Sequence, residues 1–191
     1  YNSQDKKTTA LYYNPLDSTS LASNQIASIY PDQKGNLWIF HKNGVFEKLD
    51  AISLTVTYRN YELNRLFLQR TYEYRLMVDA DGDVWLYLFD NNSGIFYFNT
   101  ADRSLTQIRR GSPTVELNSD IVKGVVQDSK GLIWVATDHG GLSIIDKKNL
   151  SVRYVMHDPD DPKSLCQNNV NALYKDDEGI IWVGTFKKGI S

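Results

Sequence analysis

The chain has 191 residues, 41% hydrophobic and 23% charged, with a net charge of −2 and one cysteine. This is ordinary globular usage, which excludes disordered and collagen-like classes, and the length allows a sizeable core in one or two domains. No apolar run is long enough to span a membrane, no clustered basic face points to nucleic acid, and Cys166 alone makes neither an internal disulfide nor a multi-cysteine metal site.

In chain order the segments read as β-structure. NQIASIYPD (24–32) is a short β-rich run ending in turn chemistry, Asp32-x-x-Gly35. NLWIF (36–40) follows as a near-continuous apolar run, the pattern of a strand covered on both faces. QRTYEYR (69–75), polar and aromatic, stands where a first strand belongs in the next stretch. DVWLYLF (83–89), the turn FDNNSG (89–94), GIFYFN (94–99) and the more polar SLTQIRR (104–110) come after it. LIWVAT (132–137), GLSIID (141–146) and SVRYVMH (151–157) repeat that order. NNVNALYKD (168–176) and IIWVGT (180–185) start it again before KKGIS (187–191).

The order is a repeat. All four tryptophans, Trp38, Trp85, Trp134 and Trp182, are spaced by 47, 49 and 48 residues. Gly35, Gly82, Gly131 and Gly179 stand three residues before them, and Asp32, Asp79, Asp128 and Asp176 stand six before. Asp bonds nearby backbone amides and Gly accepts positive φ, so the pair builds the turn between first and second strands. Trp then fills the space between sheets, with an indole N–H that still needs a partner. These twelve residues are expected to be structural. Four strands per unit of about 48 residues is the signature of a propeller blade, so the fold class is all-β, a β-propeller of four-stranded antiparallel blades.

The expected organisation is an outer strand of a preceding blade with its connecting loop over 1–21, blades over 22–63, 64–112 and 113–160, and an incomplete blade over 161–191. The outer strand is inferred because LYYNPLDSTSL (11–21) aligns with VMHDPDDPKSL (155–165) at a shift of 144 residues. The start at Tyr1 and the stop inside a third strand read as a piece of a larger ring. Closure of a four-bladed ring by the first strand, or pairing with a second chain through open edges, are the alternatives.

Units of the form Asp-x-x-Gly-x-[LI]-Trp-[VI]-[GA]-Thr-x-x-x-Gly-[LI], led in by Asp-Pro…Ser-Leu-x-x-Asn-x-[VI], resemble the two-component regulator propeller repeat. HDPDDPKSLCQNNVNALYKDDEGIIWVGTFKKGI (157–190) is similar to it throughout. The resemblance implies the periplasmic sensor region of a hybrid two-component histidine kinase of Bacteroides type, detecting oligosaccharides and signalling across the membrane. It further implies a homodimer formed through the parent protein, with the remaining blades as partners and the kinase chemistry elsewhere. Blades one and two depart from the pattern: Ile39-Phe40-His41 and Leu86-Tyr87-Leu88 replace Val-[GA]-Thr. Such breaks mark either a functional surface or drift with a repacked neighbour.

Catalytic motifs are absent: no G-x-S-x-G, HExxH, Walker or GxGxxG sequence occurs. A metal at His41 and His139 with Asp138 is weighed against exposed loop histidines, and no metal site or cofactor is expected. DADGDVW (79–85) faintly resembles a calcium loop, but its Gly is misplaced for that pattern and it reads as a turn. What remains is recognition. Loops between second and third strands and loops between blades gather on one rim, where Arg70, Tyr72, Arg109, Arg110, Asn118, Asn168, His41, Asp90, Asn91, His139 and Lys187 are placed. Arg70, Tyr72, Arg109, His41, His139 and Asn91 are the ligand-binding candidates, since an aromatic face and forked Arg or amide donors suit a sugar. The rival readings are a protein-interaction scaffold and a propeller lyase or glycosidase. The streptogramin-inactivating lyases share Gly-x-[LIV]-Trp but lack the Asp-Pro…Ser-Leu-x-x-Asn lead-in. Neither nucleic acid nor membrane contact is expected of this segment.

Overall fold

The computed structural model describes residue 6, residues 8–68 and residues 70–191. Tyr1 and Lys7, in the expected outer strand, and Gln69, the first residue of QRTYEYR, lie outside the described residues. The chain divides into two compact units, Tyr1–Tyr74 and Arg75–Ser191.

In the first unit β1 (Ile26–Pro31), β2 (Leu37–His41), β3 (Phe46–Asp50) and β4 (Thr55–Asn60) form an antiparallel sheet in sequential order. The register sets Trp38 beside Tyr30 on one side and Lys48 on the other. Leu21, Ile39 and Leu49 are buried in one cluster with Ile26, Leu37 and Val56 against them. The other face is aromatic, with Phe40 stacked at 4.5 Å from Tyr74 and 5.9 Å from Phe46. Burying such side chains contributes about 1.5–3 kcal/mol each.

Residues 14–20 are a turn, with the Asn14 amide donating to Ser20 Oγ and the Asp17 carboxylate accepting from Thr19. One expectation is corrected here. The first strand of the second blade begins only at Tyr74, the sixth residue of QRTYEYR, and a one-turn helix, α1 (Glu62–Leu66), precedes it. One turn is too short to leave a helical period in the sequence. Asn60 Oδ1 accepts from the Glu62 amide and Leu63 anchors the turn in the core. The helix lies so close to the β2–β3 turn that a Cβ on Gly44 would sit 3.0 Å from the Asn64 backbone and 2.9 Å from Tyr74 Oη.

In the second unit β5 (Tyr74–Val78, its first residue being the last of the first unit), β6 (Val84–Leu88), β7 (Ile95–Phe98) and β8 (Leu105–Ile108) form one sheet, and β9 (Val122–Gln127), β10 (Ile133–Thr137), β11 (Gly141–Asp146) and β12 (Ser151–Val155) a second. β13 (Val170–Lys175) and β14 (Ile181–Thr185) make a two-stranded sheet, and Val183 exchanges backbone hydrogen bonds with Ser191, the start of a third strand. Trp85, Met77 and Tyr87 of the first sheet pack with Val125, Ile133, Val135 and Ile145 of the next. Ala136 and Leu142, with Trp134 against them, pack with Val170, Val183 and Leu165. Each sheet thus buries its face on its neighbour, the physics of repeat stacking. A β-bulge recurs at the start of three first strands, leaving Ala27, Lys123 and Asn171 as the extra residues.

Candidate ligand-facing rim

The turn end of each sheet is scaffold. In all four turns the Gly amide donates to the Asp carbonyl, and the Gly φ lies at 81° to 87°. In three of them the Asp carboxylate does two jobs. Oδ1 takes backbone amides of the turn, as Asp128 does from Lys130 and Leu132, while Oδ2 takes the indole N–H: Asp79 from Trp85 (3.0 Å), Asp128 from Trp134 (2.9 Å) and Asp176 from Trp182 (2.7 Å). The motif therefore supplies the partner that its own tryptophan requires. At Asp32 the second oxygen goes instead to Asn36 Nδ2 and Lys48. Burial by itself would raise the Asp32 carboxyl, but Lys48 and Asn36 outweigh it and lower the pKa to about 2.

The expectation that all four indoles are core needs correction. Trp38 and Trp85 are buried, Trp134 is half-buried, and Trp182 is 46% exposed. Its sheet has only two strands.

DADGDVW is a turn held by a lysine. Lys147, directly after β11, reaches Asp79, Asp81 and Asp83 at 2.7, 2.8 and 2.8 Å. Burial would raise Asp83, but Lys147, the Thr100 amide and the Tyr97 hydroxyl hold it below the usual carboxylate range. Burial would lower Lys147, and the three carboxylates override this and raise it.

At the opposite end the loops are stitched together by backbone hydrogen bonds. In the second unit the Gly94 amide donates to Asp120, Asp138 to Ile121, Gly141 to Asn168 and Phe186 to Asn169. In the first, Lys42 donates to Gln25 and Tyr72 to Lys42. Second-to-third-strand loops and inter-blade segments therefore do share one rim within each unit.

Of the predicted site residues, Arg109, Asn91 and His139 lie on the rim of the second unit. Arg109 is exposed, with its amide on Ser112 Oγ and its Cβ where a side chain on Gly94 would have to go. Asn91 is half-buried, its amide on Leu88. His139 is exposed at φ 63°, with Nδ1 3.0 Å from Asp138 and Nε2 3.5 Å from Asn169. Arg70 and Tyr72 lie on the first unit, Arg70 exposed and Tyr72 half-buried against Phe67 and Tyr74. His41 is not a rim residue. It is fully buried, with Nε2 2.7 Å from Glu47, which also binds Arg59 at 2.7 Å and the Ala22 amide. Burial would raise Glu47, and His41 and Arg59 together lower it instead. The reading of His41 as an exposed loop histidine is thereby corrected, and so is the alternative in which it acts with His139 on one rim. Among the described residues no group of three His, Cys, Asp or Glu is arranged for a metal.

Sequence reasoning missed a cluster in the second unit. Phe89 has Arg75 at 5.2 Å and Lys123 at 5.3 Å from its ring, and Lys123 also pairs with Asp90. Lys123 is a bulge residue, and bulges re-aim side chains at sheet ends. Two cations, one ring and an exposed carboxylate (Asp90) next to the FDNNSG loop can offer donors, an apolar face and an acceptor to one ligand.

Residues 20–43, 116–139 and 164–187 match the family model described as the two-component regulator propeller. The fold is that of a propeller, and three segments of the chain match that repeat. The first blade matches despite Ile39-Phe40-His41; no match falls within 64–112, where α1 and the long second-to-third-strand loop lie. Two solved structures from Bacteroides thetaiotaomicron, both described as extracellular domains of hybrid two-component systems, are similar in fold. One has 18% identity and a TM-score of 0.61, over 100% of this chain and 29% of that one. The other has 20% identity and a TM-score of 0.63, over 91% of this chain and 22% of that one. Virginiamycin B lyase from Staphylococcus aureus is similar at 14% identity and a TM-score of 0.58, over 87% and 54% of the two chains. This chain therefore spans less than a third of the two-component relatives. The comparison with curated proteins returns no match.

Proposed function

We propose that the chain is a non-catalytic, ligand-sensing segment in the periplasmic propeller of a hybrid two-component histidine kinase, where it contributes to recognition of an oligosaccharide. One observation carries the reading: the repeated spacing of Asp, Gly and Trp is used up in turns and packing, whereas Arg109, Asn91 and His139 sit on hydrogen-bonded rim loops. The three repeat matches and the likeness to two-component extracellular domains support the class. Among the described residues no helix is long and apolar enough to cross a membrane. Arg70 and Tyr72 offer the same donors and ring on the first unit, and signalling through the parent homodimer would follow from a ligand biasing two domain arrangements.

Calorimetry of the chain against a panel of neutral and acidic oligosaccharides tests this. Binding that weakens at least tenfold in Arg109→Ala or His139→Ala supports the rim. Binding unchanged in both, or turnover of the sugar, overturns the reading. A protein-interaction role is favoured by one feature, the exposed apolar face at Trp182.

A further inference from the structure

We propose that Arg75, Lys123, Phe89 and Asp90 form a subsite for the carboxylate of an acidic sugar, a uronic acid. The inference rests on the sensing proposal above and names the class of sugar that the second unit selects.

Lys123 carries the argument. Its side chain is only 12% exposed, and Asp90, at 2.5 Å, is its one hydrogen-bond acceptor among the described residues. An ammonium has three N–H donors, so most of its capacity is unmet in a place that water reaches poorly. The Phe89 ring, 5.3 Å from Nζ, offsets the charge in part but leaves those donors open. Buried charged donors without acceptors are costly, and an incoming oxygen would meet that need. The fold does not require the lysine. Ala27 and Asn171 stand at the same bulge of the first and last sheets, and neither is a cation. Asp90 is 61% exposed, so the pair opens to solvent on the side from which a ligand can approach.

Arg75 specifies the ligand further. It is the only exposed residue of β5 (Tyr74–Val78), and its guanidinium lies 5.2 Å from the same ring. A guanidinium fork matches a carboxylate with two parallel hydrogen bonds, which a neutral hydroxyl cannot return. The half-buried Phe89 ring adds an apolar surface for sugar C–H groups, and Asp90 accepts from hydroxyls. The subsite is also continuous with the rim. The loop that begins at Phe89 passes Asn91 and ends at Gly94, where an added Cβ would meet Arg109. The Asn92–Ile121 bridge and the Gly94 amide on Asp120 hold that loop in place. A sugar chain seated on Arg109 and Asn91 therefore finds the two cations at the other end of one fixed loop.

Calorimetry on the 191-residue chain tests this with trigalacturonic acid and with the same trisaccharide after reduction of its carboxyls. The acid form is expected to bind about tenfold tighter or more at low salt. Arg75→Gln should remove that preference without weakening the reduced form. Asp90→Asn frees Lys123 of its competing carboxylate and should tighten the acid form about threefold, which a purely structural ion pair would not do. Both positions are exposed, and matching circular dichroism spectra verify that the variants fold. Neither form bound, both bound equally, or a preference that persists in Arg75→Gln overturns the inference. So does an Asp90→Asn variant of unchanged or weaker affinity for the acid form. In any of these cases a neutral oligosaccharide whose binding still depends on Arg109 leaves the sensing proposal standing. Failure of every sugar in the wider panel removes both.

Discussion

Lys147 Nζ lies 2.7 Å from Asp79 Oδ2, and the same oxygen accepts the Trp85 indole N–H at 3.0 Å. One carboxylate thus ties a turn, the tryptophan that packs above it, and the neighbouring sheet. The arrangement makes the junction between two blades a point of shared charge as well as of shared apolar surface.

The first prediction concerns that lysine. Lys147→Ala leaves Asp79 and Asp83 close together and poorly solvated, so the second unit should lose about 3 kcal/mol. Lys148→Ala, on an exposed neighbour, should change stability by less than about 0.5 kcal/mol. Urea unfolding followed by tryptophan fluorescence measures both; equal effects would show that the three short contacts do not stabilise the junction.

Graded burial predicts graded costs for the repeat Asp. Asp79→Ala and Asp128→Ala each strip an indole and two turn amides of their acceptor, a loss of about 1–3 kcal/mol. Asp176→Ala should cost a few tenths of a kcal/mol, because water reaches the exposed Trp182 and its turn. The same unfolding measurement ranks the three.

Acid should destabilise the fold through specific carboxylates. Asp32 titrates at about 2 in the folded chain against an ordinary 3.8, and Glu47 and Asp83 are also lowered. A lowered folded pKa gives stability that is complete above the unfolded value and is lost as pH falls through the folded one. Asp32 should therefore contribute about 1–2 kcal/mol above pH 4, after allowance for the partly exposed Lys48, and little at pH 2. Unfolding curves at pH 7 and pH 3 for wild type and Asp32→Asn check this: the variant should lose less stability over that interval.

Two glycines with the same backbone angle separate strain from crowding. Gly35 and Gly44 have φ of 81° and 86°, but a Cβ meets nothing within 4 Å at Gly35 and collides with Asn64 and Tyr74 at Gly44. Gly35→Ala should cost about 1–2 kcal/mol from the left-handed backbone alone. Gly44→Ala should cost at least about 1 kcal/mol more, the added part coming from displaced α1. Equal losses would mean that α1 yields freely.

The amino-acid sequence by itself determined the repeat, the strand order and the turn chemistry, because each rests on residues close together along the chain. Asp128, Gly131 and Trp134 span seven positions and complete their own hydrogen bonds within one hairpin, so their spacing suffices. The sequence also placed Arg109, Asn91 and His139 in rim loops, since loop membership follows strand order. Only the tertiary structure decided which side chains stay in water. His41 and His139 both follow a Trp within a few residues, yet His41 ends β2 and is buried on Glu47 while His139 is exposed in the loop after β10, because long-range packing sets burial. Trp85 and Trp182 share a motif and differ in burial, 1% against 46% exposed, which their common spacing does not reveal. Lys147 meets Asp79 across 68 residues of chain, a distance at which local pattern carries no information and only the stacking of two sheets brings charge to charge.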